Sequence, residues 1–117
     1  MGSRLMEDPE KLKVVLIELK KRGLFFLDSR TTPQTVGLET AKSVGIRATE
    51  RSLFIDHSLD PEDIKQQLEK LVQLSLATGK AIGIGHPHPS TLKSLKEMIP
   101  KMKEKGIEIV PLSVVME

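Results

Sequence analysis

The chain has 117 residues, a length that fits one domain and leaves no room for a second. Hydrophobic residues make up 38% and charged residues 29%, which is the balance of an ordinary globular chain. The 18 basic and 16 acidic residues are mixed along the chain, and three Phe are the whole aromatic content. Nucleic acid is therefore excluded as an expected partner, because its recognition needs a basic surface and rings for stacking.

The chain contains no cysteine, which excludes disulfides, thiolate nucleophiles and cysteine-type zinc sites. Its longest apolar runs, such as Val14–Ile17 and Leu24–Leu27, are too short for a transmembrane helix. Residues 1–10 lack the apolar segment of a signal peptide. We therefore expect a soluble chain without a membrane segment, cytoplasmic as written.

Four helices are predicted from capping residues and glycine stops. Their expected starts are Asp8-Pro9, Thr32-Pro33, Asp60-Pro61 and Ser90. Apolar residues follow at helical spacing, and each helix is expected to end at a glycine, namely Gly23, Gly45, Gly79 and Gly106. Each glycine leads to an apolar run typical of a strand, at 24–27, 52–55 (after a loop over 46–51), 81–84 and 107–111.

Four strands alternating with four helices predict an α/β fold with a parallel sheet and right-handed crossovers. The strands are almost continuously apolar, which indicates that both faces of the sheet are covered. An open three-layer sandwich and a segment of a (β/α) barrel both fit this pattern. A barrel segment would expose strand edges and an apolar face, so we expect a homo-oligomer or a missing complementary half.

Polar residues follow three of the predicted strands. They are Asp28-Ser29-Arg30, Asp56-His57 and His86-Pro87-His88. The carboxyl ends of parallel strands meet at one edge of a sheet, so these side chains are expected to converge. The pattern predicts a functional site at that edge.

Each residue also has a structural interpretation. Asp28 could cap loop amides, Arg30 could pair with Asp28 or Asp56, and Asp56 with His57 could form a surface turn. His86 and His88 lie in Gly-His-Pro-His-Pro, an unusual sequence at a strand end. Their imidazoles can bind a metal or transfer a proton near neutral pH, and His86 is the stronger candidate.

Several segments are similar to one known family. Met1–Arg4 (MGSR), Arg22–Thr32 (RGLFFLDSRTT), Ala81–Pro89 (AIGIGHPHP) and Lys105–Ser113 (KGIEIVPLS) resemble the divergent polysaccharide deacetylases. The resemblance spans essentially the whole chain in the same order. It corresponds to the C-terminal half of that family, so residues 1–117 would form a single domain that is half of a deacetylase-like barrel.

The resemblance implies a distorted, parallel-stranded (β/α) barrel of the glycoside hydrolase and deacetylase type. It implies hydrolysis of acetyl groups on a carbohydrate, with a divalent metal, often zinc, that polarises the carbonyl and activates water. The catalytic residues carried over are His86, Asp28 and Arg30. The expected substrate contacts are Asp56, His88 and Ser29.

The chain does not include residues that family members carry in the N-terminal half of their fold. An Asp-Asp pair, a later histidine segment and an Asn-His pair that precedes the Met1–Arg4 match in relatives are not in this sequence. Since these include the implied metal ligands, the metal-binding residues stay unknown, and we expect weak or no zinc binding by the isolated chain. Export or anchoring segments are common in relatives, which are exported or periplasmic.

Three functions follow from the sequence. The first is a carbohydrate deacetylase fragment that is incomplete alone. The second is a homodimer of half-barrels, acting as an enzyme or as a non-catalytic sugar-binding or structural module. The third is an unrelated metal-dependent hydrolase in which His86 and His88 clamp the metal.

Overall fold

A computed structural model describes residues 3–116 of the chain. The elements in chain order are helices α1 (Ser3–Met6) and α2 (Pro9–Lys21), strand β1 (Phe26–Asp28), helix α3 (Gly37–Val44), strands β2 (Ala48–Glu50) and β3 (Leu53–Phe54), helix α4 (Pro61–Thr78), strand β4 (Gly83–Ile84), helix α5 (Pro89–Glu104) and a 3-10 turn (Leu112–Val115). None of the helices in this part of the chain has the length and apolar character needed to cross a bilayer.

The chain forms two compact units. Unit 1 runs to Glu50 and resumes at Pro111, and unit 2 is Arg51–Val110. Unit 1 holds the parallel pair β1–β2, and unit 2 holds the parallel pair β3–β4. A helix connects the two strands of each pair, as parallel pairing requires. The expected α/β architecture with parallel strands is thus confirmed, and the barrel stays a prediction.

The core of unit 1 forms between α2 and α3. Asp8 accepts hydrogen bonds from the first-turn amides of α2 and starts this helix before Pro9, as expected. Spacing of four residues places Leu12 and Leu16 on one face of α2. Both are buried in a cluster that is completed by Ala41, Ile46 and Ala48.

The core of unit 2 forms between α4, α5 and the strand pair. Buried side chains recur every four residues along α4, at Ile64, Leu68 and Val72. They pack in one cluster with Ile55, Met98 and Met102. This cluster fixes the two helices against one face of the strands that lead to the polar residues.

Three of the elements expected from the sequence differ in the structure. The second helix begins at Gly37 and not at Pro33, because Thr32 starts a turn. Its hydroxyl oxygen accepts a hydrogen bond from the N–H of Gln34 (3.3 Å), and its carbonyl oxygen accepts one from the N–H of Thr35 (3.4 Å). Residues 48–50, expected in a loop, pair with β1 as strand β2. The expected strand over 107–111 is wrong, since no described strand pairs with that segment.

The expected glycine stops agree with the structure at α3 and α4. Gly45 and Gly79 are the C-caps of these helices and have φ angles of 76° and 93°. Residues other than glycine rarely adopt this left-handed conformation, so these glycines end the helices without strain.

Several apolar side chains are exposed, including Val14 at 70% and Leu24 at 52%. The expected oligomer stays a prediction.

Leu68→Ala is expected to lower the free energy of unfolding by about 2–5 kcal/mol, because Leu68 is buried in the unit 2 core and truncation leaves a cavity. Leu76→Ala on the same helix is the matched control, since Leu76 is 55% exposed; we expect a change within about 0.5 kcal/mol. Urea denaturation followed by circular dichroism measures both. Equal effects of the two substitutions would contradict the described core.

Candidate functional site

A buried carboxylate and an exposed histidine form the centre of the candidate site in unit 2. The side chain of Asp56 is fully buried and that of His86 is 56% exposed. Asp56 Oδ1 lies 2.8 Å from His86 Nδ1, and Asp56 Oδ2 accepts a hydrogen bond from the backbone N–H of His86 at 2.6 Å. The hydroxyl of Thr91 donates to the same Oδ2 at 2.9 Å. The carboxylate is therefore held from three directions.

Strand register places this pair. Leu53 is opposite Gly83 and Phe54 is opposite Ile84, so continuing the register brings Asp56 level with His86. The backbone N–H of Ile55 donates to the carbonyl of Ile84 at 2.9 Å and fixes this register at the strand ends. Both polar residues thus follow the carboxyl ends of neighbouring parallel strands.

Gly85 allows the close approach of β4 to its surroundings. A Cβ atom at this position would lie 2.6 Å from Ile55 Cδ1 and 3.3 Å from Thr91 Cγ2. Any side chain here would therefore push β4 away from Ile55 and from the first turn of α5. Gly85 therefore allows both Thr91 and His86 to reach the carboxylate of Asp56.

Asp56 is the ionised partner of the pair. Burial by itself raises the pKa of this carboxyl group. Hydrogen bonds from the ring and backbone of His86 and from the hydroxyl of Thr91, together with the charge interaction with His86, outweigh burial and hold the pKa of Asp56 below its ordinary value of 3.8. A carboxylate accepts hydrogen bonds and donates none, so the proton between the two groups belongs to His86 Nδ1. In the neutral ring, the other nitrogen, Nε2, is then the one without a proton.

Three further side chains surround the pair. The ring centroid of Phe54 lies 6.4 Å from that of His86, with 22° between the planes, and 4.9 Å from that of His57 in an edge contact. The guanidinium of Arg51 lies 4.1 Å from the centroid of Phe54, within cation–π distance. Phe54 therefore forms an aromatic surface beside the imidazole.

His88 lies next to His86 as the N-cap residue of α5. Its backbone N–H donates to the carbonyl of His86 at 2.8 Å, and the two ring centroids are 6.0 Å apart. The tight turn between the two histidines places both rings near the start of α5. The structure thus brings four predicted residues close together in unit 2, namely Asp56, His57, His86 and His88.

Asp28 ends β1 in unit 1 and is buried. Its Oδ1 accepts a hydrogen bond from the backbone N–H of Arg30 at 2.8 Å, and its Oδ2 accepts one from the hydroxyl of Thr35 at 2.7 Å. A Cβ at Gly37 would lie 2.6 Å from this Oδ2, so glycine makes room for the carboxylate. Asp28 thus fastens both ends of the loop that contains Ser29, a half-buried residue.

Arg30 has a left-handed backbone, with a φ of 53°. Its Nη1 donates to Glu50 Oε2 at 2.9 Å, and this hydrogen bond and the charge of Glu50 raise the pKa of Arg30. The ion pair that the structure shows for Arg30 is with Glu50, and the charge of Asp28, one of the two expected partners, also raises the pKa of Arg30. Glu50 was not expected as a partner, because residues 46–51 are predicted as a loop.

A resident metal needs several ligands from one region. Among residues 3–116, no three histidine, aspartate or glutamate side chains are grouped closely enough to hold a metal ion. The described residues therefore do not match a complete zinc site, which has at least three protein ligands.

The fold is that of a parallel α/β protein, with a hydrogen-bonded aspartate–histidine pair at the strand ends of unit 2. Comparison with known families identifies it further. The model of the divergent polysaccharide deacetylase family matches residues 1–116, so the chain belongs to that family. The resemblance inferred from the sequence is confirmed.

Three similar proteins give the extent of the match. An uncharacterized protein of Haemophilus influenzae is 35% identical over 104 residues, which cover 89% of this chain and 37% of the relative. The uncharacterized protein YibQ of Escherichia coli is 33% identical over 99 residues, or 85% of this chain and 31% of the relative. A crystal structure of an uncharacterized protein from Agrobacterium tumefaciens superposes with a TM-score of 0.94 at 24% identity, over 98% of this chain and 47% of that one.

These comparisons define what is shared. The chain spans about a third of the length of the curated relatives and about half of the solved structure. The likeness to the solved structure shows a common fold. The activity of the whole proteins therefore enters as a proposal.

Asp56→Asn is expected to lower the free energy of unfolding at pH 7 by about 1–3 kcal/mol, because it removes charged hydrogen bonds inside the protein. The pKa of Asp56 is lower in the folded state than in the unfolded chain, so this stabilisation is complete above pH about 4 and is lost as the pH falls through the folded-state pKa. The difference between wild type and variant should shrink over that range in urea titrations. Glu108→Gln, at an exposed position, is the control and should show no such pH-dependent difference.

Proposed function

We propose that this chain supplies the proton-transfer part of a carbohydrate deacetylase, a hydrolase that removes acetyl groups from a sugar polymer. The observation that carries the proposal is the Asp56–His86 pair, with its 2.8 Å contact to Nδ1 and an exposed imidazole. Membership of the divergent polysaccharide deacetylase family supports the choice of substrate, an acetylated carbohydrate.

The reaction requires proton transfer at two points. Water adds to the acetyl carbonyl carbon and loses a proton, and the bond from that carbon to the sugar nitrogen or oxygen then breaks. The leaving sugar atom needs a proton, and acetate is the other product. His86 takes up the proton of the water at Nε2 and donates it from that atom to the leaving sugar atom, while its Nδ1–H stays hydrogen-bonded to the Asp56 carboxylate.

The surroundings of Asp56 suit this role. An ionised carboxylate at Nδ1 stabilises the imidazolium that must exist before the proton is donated. The hydrogen bonds from the backbone of His86 and from Thr91 keep this carboxylate fixed while the ring changes its charge. Asp56 is therefore a positioning residue that acts through His86.

Asp28 and Arg30 are proposed to shape the loop that follows β1. Both oxygens of Asp28 are engaged by Arg30 N–H and Thr35, so the carboxylate holds this loop in place. Arg30 pairs with Glu50 at 2.9 Å, and a guanidinium at this loop suits an oxyanion or a sugar hydroxyl. Ser29 and His88 are proposed as substrate contacts.

A divalent metal, zinc in many members, is implied by the family. Within residues 3–116 no group of three ligands is present, so the described part of this chain does not form the complete metal site. We propose that the missing ligands come from the remainder of the fold, since the curated relatives are about three times as long as the match. No step in the mechanism proposed for His86 depends on the metal.

A second function is a non-catalytic sugar-binding module, formed by this chain alone or as a homodimer. The specific observation in its favour is the stacked arrangement of the Phe54 and His86 rings, whose centroids lie 6.4 Å apart. The half-buried Phe54 and the exposed His86 would then bind a sugar without cleaving it. The two functions differ in whether acetate is released.

His86→Gln distinguishes them. Glutamine can still donate a hydrogen bond to Asp56, but it cannot transfer a proton. We expect the release of acetate from acetylated chito-oligosaccharides to fall by about 100-fold or more, measured with added Zn²⁺ on a protein in which this chain is joined to the remainder of the family fold. Circular dichroism should show an unchanged fold.

Equal rates of acetate release by wild type and His86→Gln would contradict the proposed role of His86. If the wild-type protein that includes the remainder of the fold releases no acetate but binds the saccharide, the non-catalytic module is favoured.

A further inference from the structure

Unit 2 contains a pocket that has no role in the proposed proton transfer. It has a volume of about 250 Å³ and lies between the end of β3 and one flank of α4. Ile55 and His57 line it from the strand end, and Asp63, Gln66, Gln67 and Lys70 line it from the helix. The pocket is therefore a mostly polar depression with one buried aliphatic wall.

The polar groups on this flank of α4 are not used by the fold. Within residues 3–116, Asp63, Gln66, Gln67 and Lys70 carry no side-chain hydrogen bond or ion pair. The opposite flank of the same helix differs, because its charged residues are paired with α5: Lys65 with Glu97 at 3.0 Å and Glu69 with Lys105 at 3.1 Å. One side of α4 thus packs against protein, and the other presents unengaged donors and acceptors.

The chemistry of the lining selects a class of ligand. Each glutamine amide has two donor hydrogens and an acceptor oxygen, a match for hydroxyl groups, which both donate and accept. Asp63 and Lys70 carry opposite charges, so the pocket favours a neutral polar molecule over an ion. Ile55 provides an apolar surface for C–H groups. A sugar unit has all three properties.

The pocket is connected to the candidate site by the side chains of His57 and Phe54. His57 lines the pocket, and its ring lies 4.9 Å from that of Phe54, which lies 6.4 Å from the ring of His86. We propose that the pocket binds a second sugar unit of the chain whose acetylated unit lies at His86. This inference rests on the proposed function and deepens it: the substrate is an oligosaccharide or polysaccharide, and Gln67 helps to select it by length.

Calorimetric titration with N-acetylglucosamine, its disaccharide and its tetrasaccharide tests the inference. The wild-type chain should bind the tetrasaccharide more tightly than the monosaccharide. Gln67→Ala should weaken tetrasaccharide binding about fivefold, as expected for the loss of a hydrogen bond, and leave monosaccharide binding unchanged. Gln73→Ala is the matched control, since Gln73 is an exposed glutamine of the same helix that does not line the pocket.

Three results would overturn the inference: affinity that does not depend on saccharide length, an unchanged tetrasaccharide affinity in Gln67→Ala, or no binding of any of the three saccharides. Thermal unfolding of Gln67→Ala should match that of Gln73→Ala, which excludes a folding defect as the cause of weaker binding. Acetate release that requires His86, combined with length-independent affinity, would sink this subsite alone. Length-dependent binding without acetate release would sink the deacetylase function alone.

Discussion

The buried carboxylate of Asp56 is the constraint on which the candidate site depends. A charge without solvent is costly unless hydrogen bonds replace the water, and here the ring of His86, its backbone N–H and the hydroxyl of Thr91 do so. The same contacts fix the end of β4 and the first turn of α5 to the end of β3. Stability of the strand ends and orientation of the imidazole therefore have one physical source.

Close packing makes this arrangement possible. Gly83 and Gly85 remove side chains on the face of β4 that meets Leu71, Ile55 and Thr91. The helices can then approach the strands, while Phe54, Ile84 and His86 alternate onto the other face. Helices thus pack against one face of the short strands of unit 2, and the polar side chains lie at the carboxyl ends of these strands, where open parallel α/β sheets bind their ligands.

Local sequence signals made part of the fold predictable. Aspartate followed by proline marks the starts of α2 and α4 correctly, because the capping side chain and the fixed proline φ act within one turn. Contacts between distant residues were not predictable. Thr91 lies 35 residues from Asp56, and Glu50 lies 20 residues from Arg30. No periodicity identifies such partners, and the start of α3 depended on a turn at Thr32 that competed with the expected helix.

Nitrogen-15 NMR of the histidine rings measures whether Asp56 keeps the ring proton of His86 on Nδ1 and leaves Nε2 to react. For neutral His86 we expect the chemical shifts of the Nδ1–H tautomer. We also expect a slowly exchanging signal from the hydrogen-bonded ring proton, and this signal should be lost in Asp56→Asn. The Nε2–H tautomer, or a spectrum of His86 that does not change in Asp56→Asn, would contradict it.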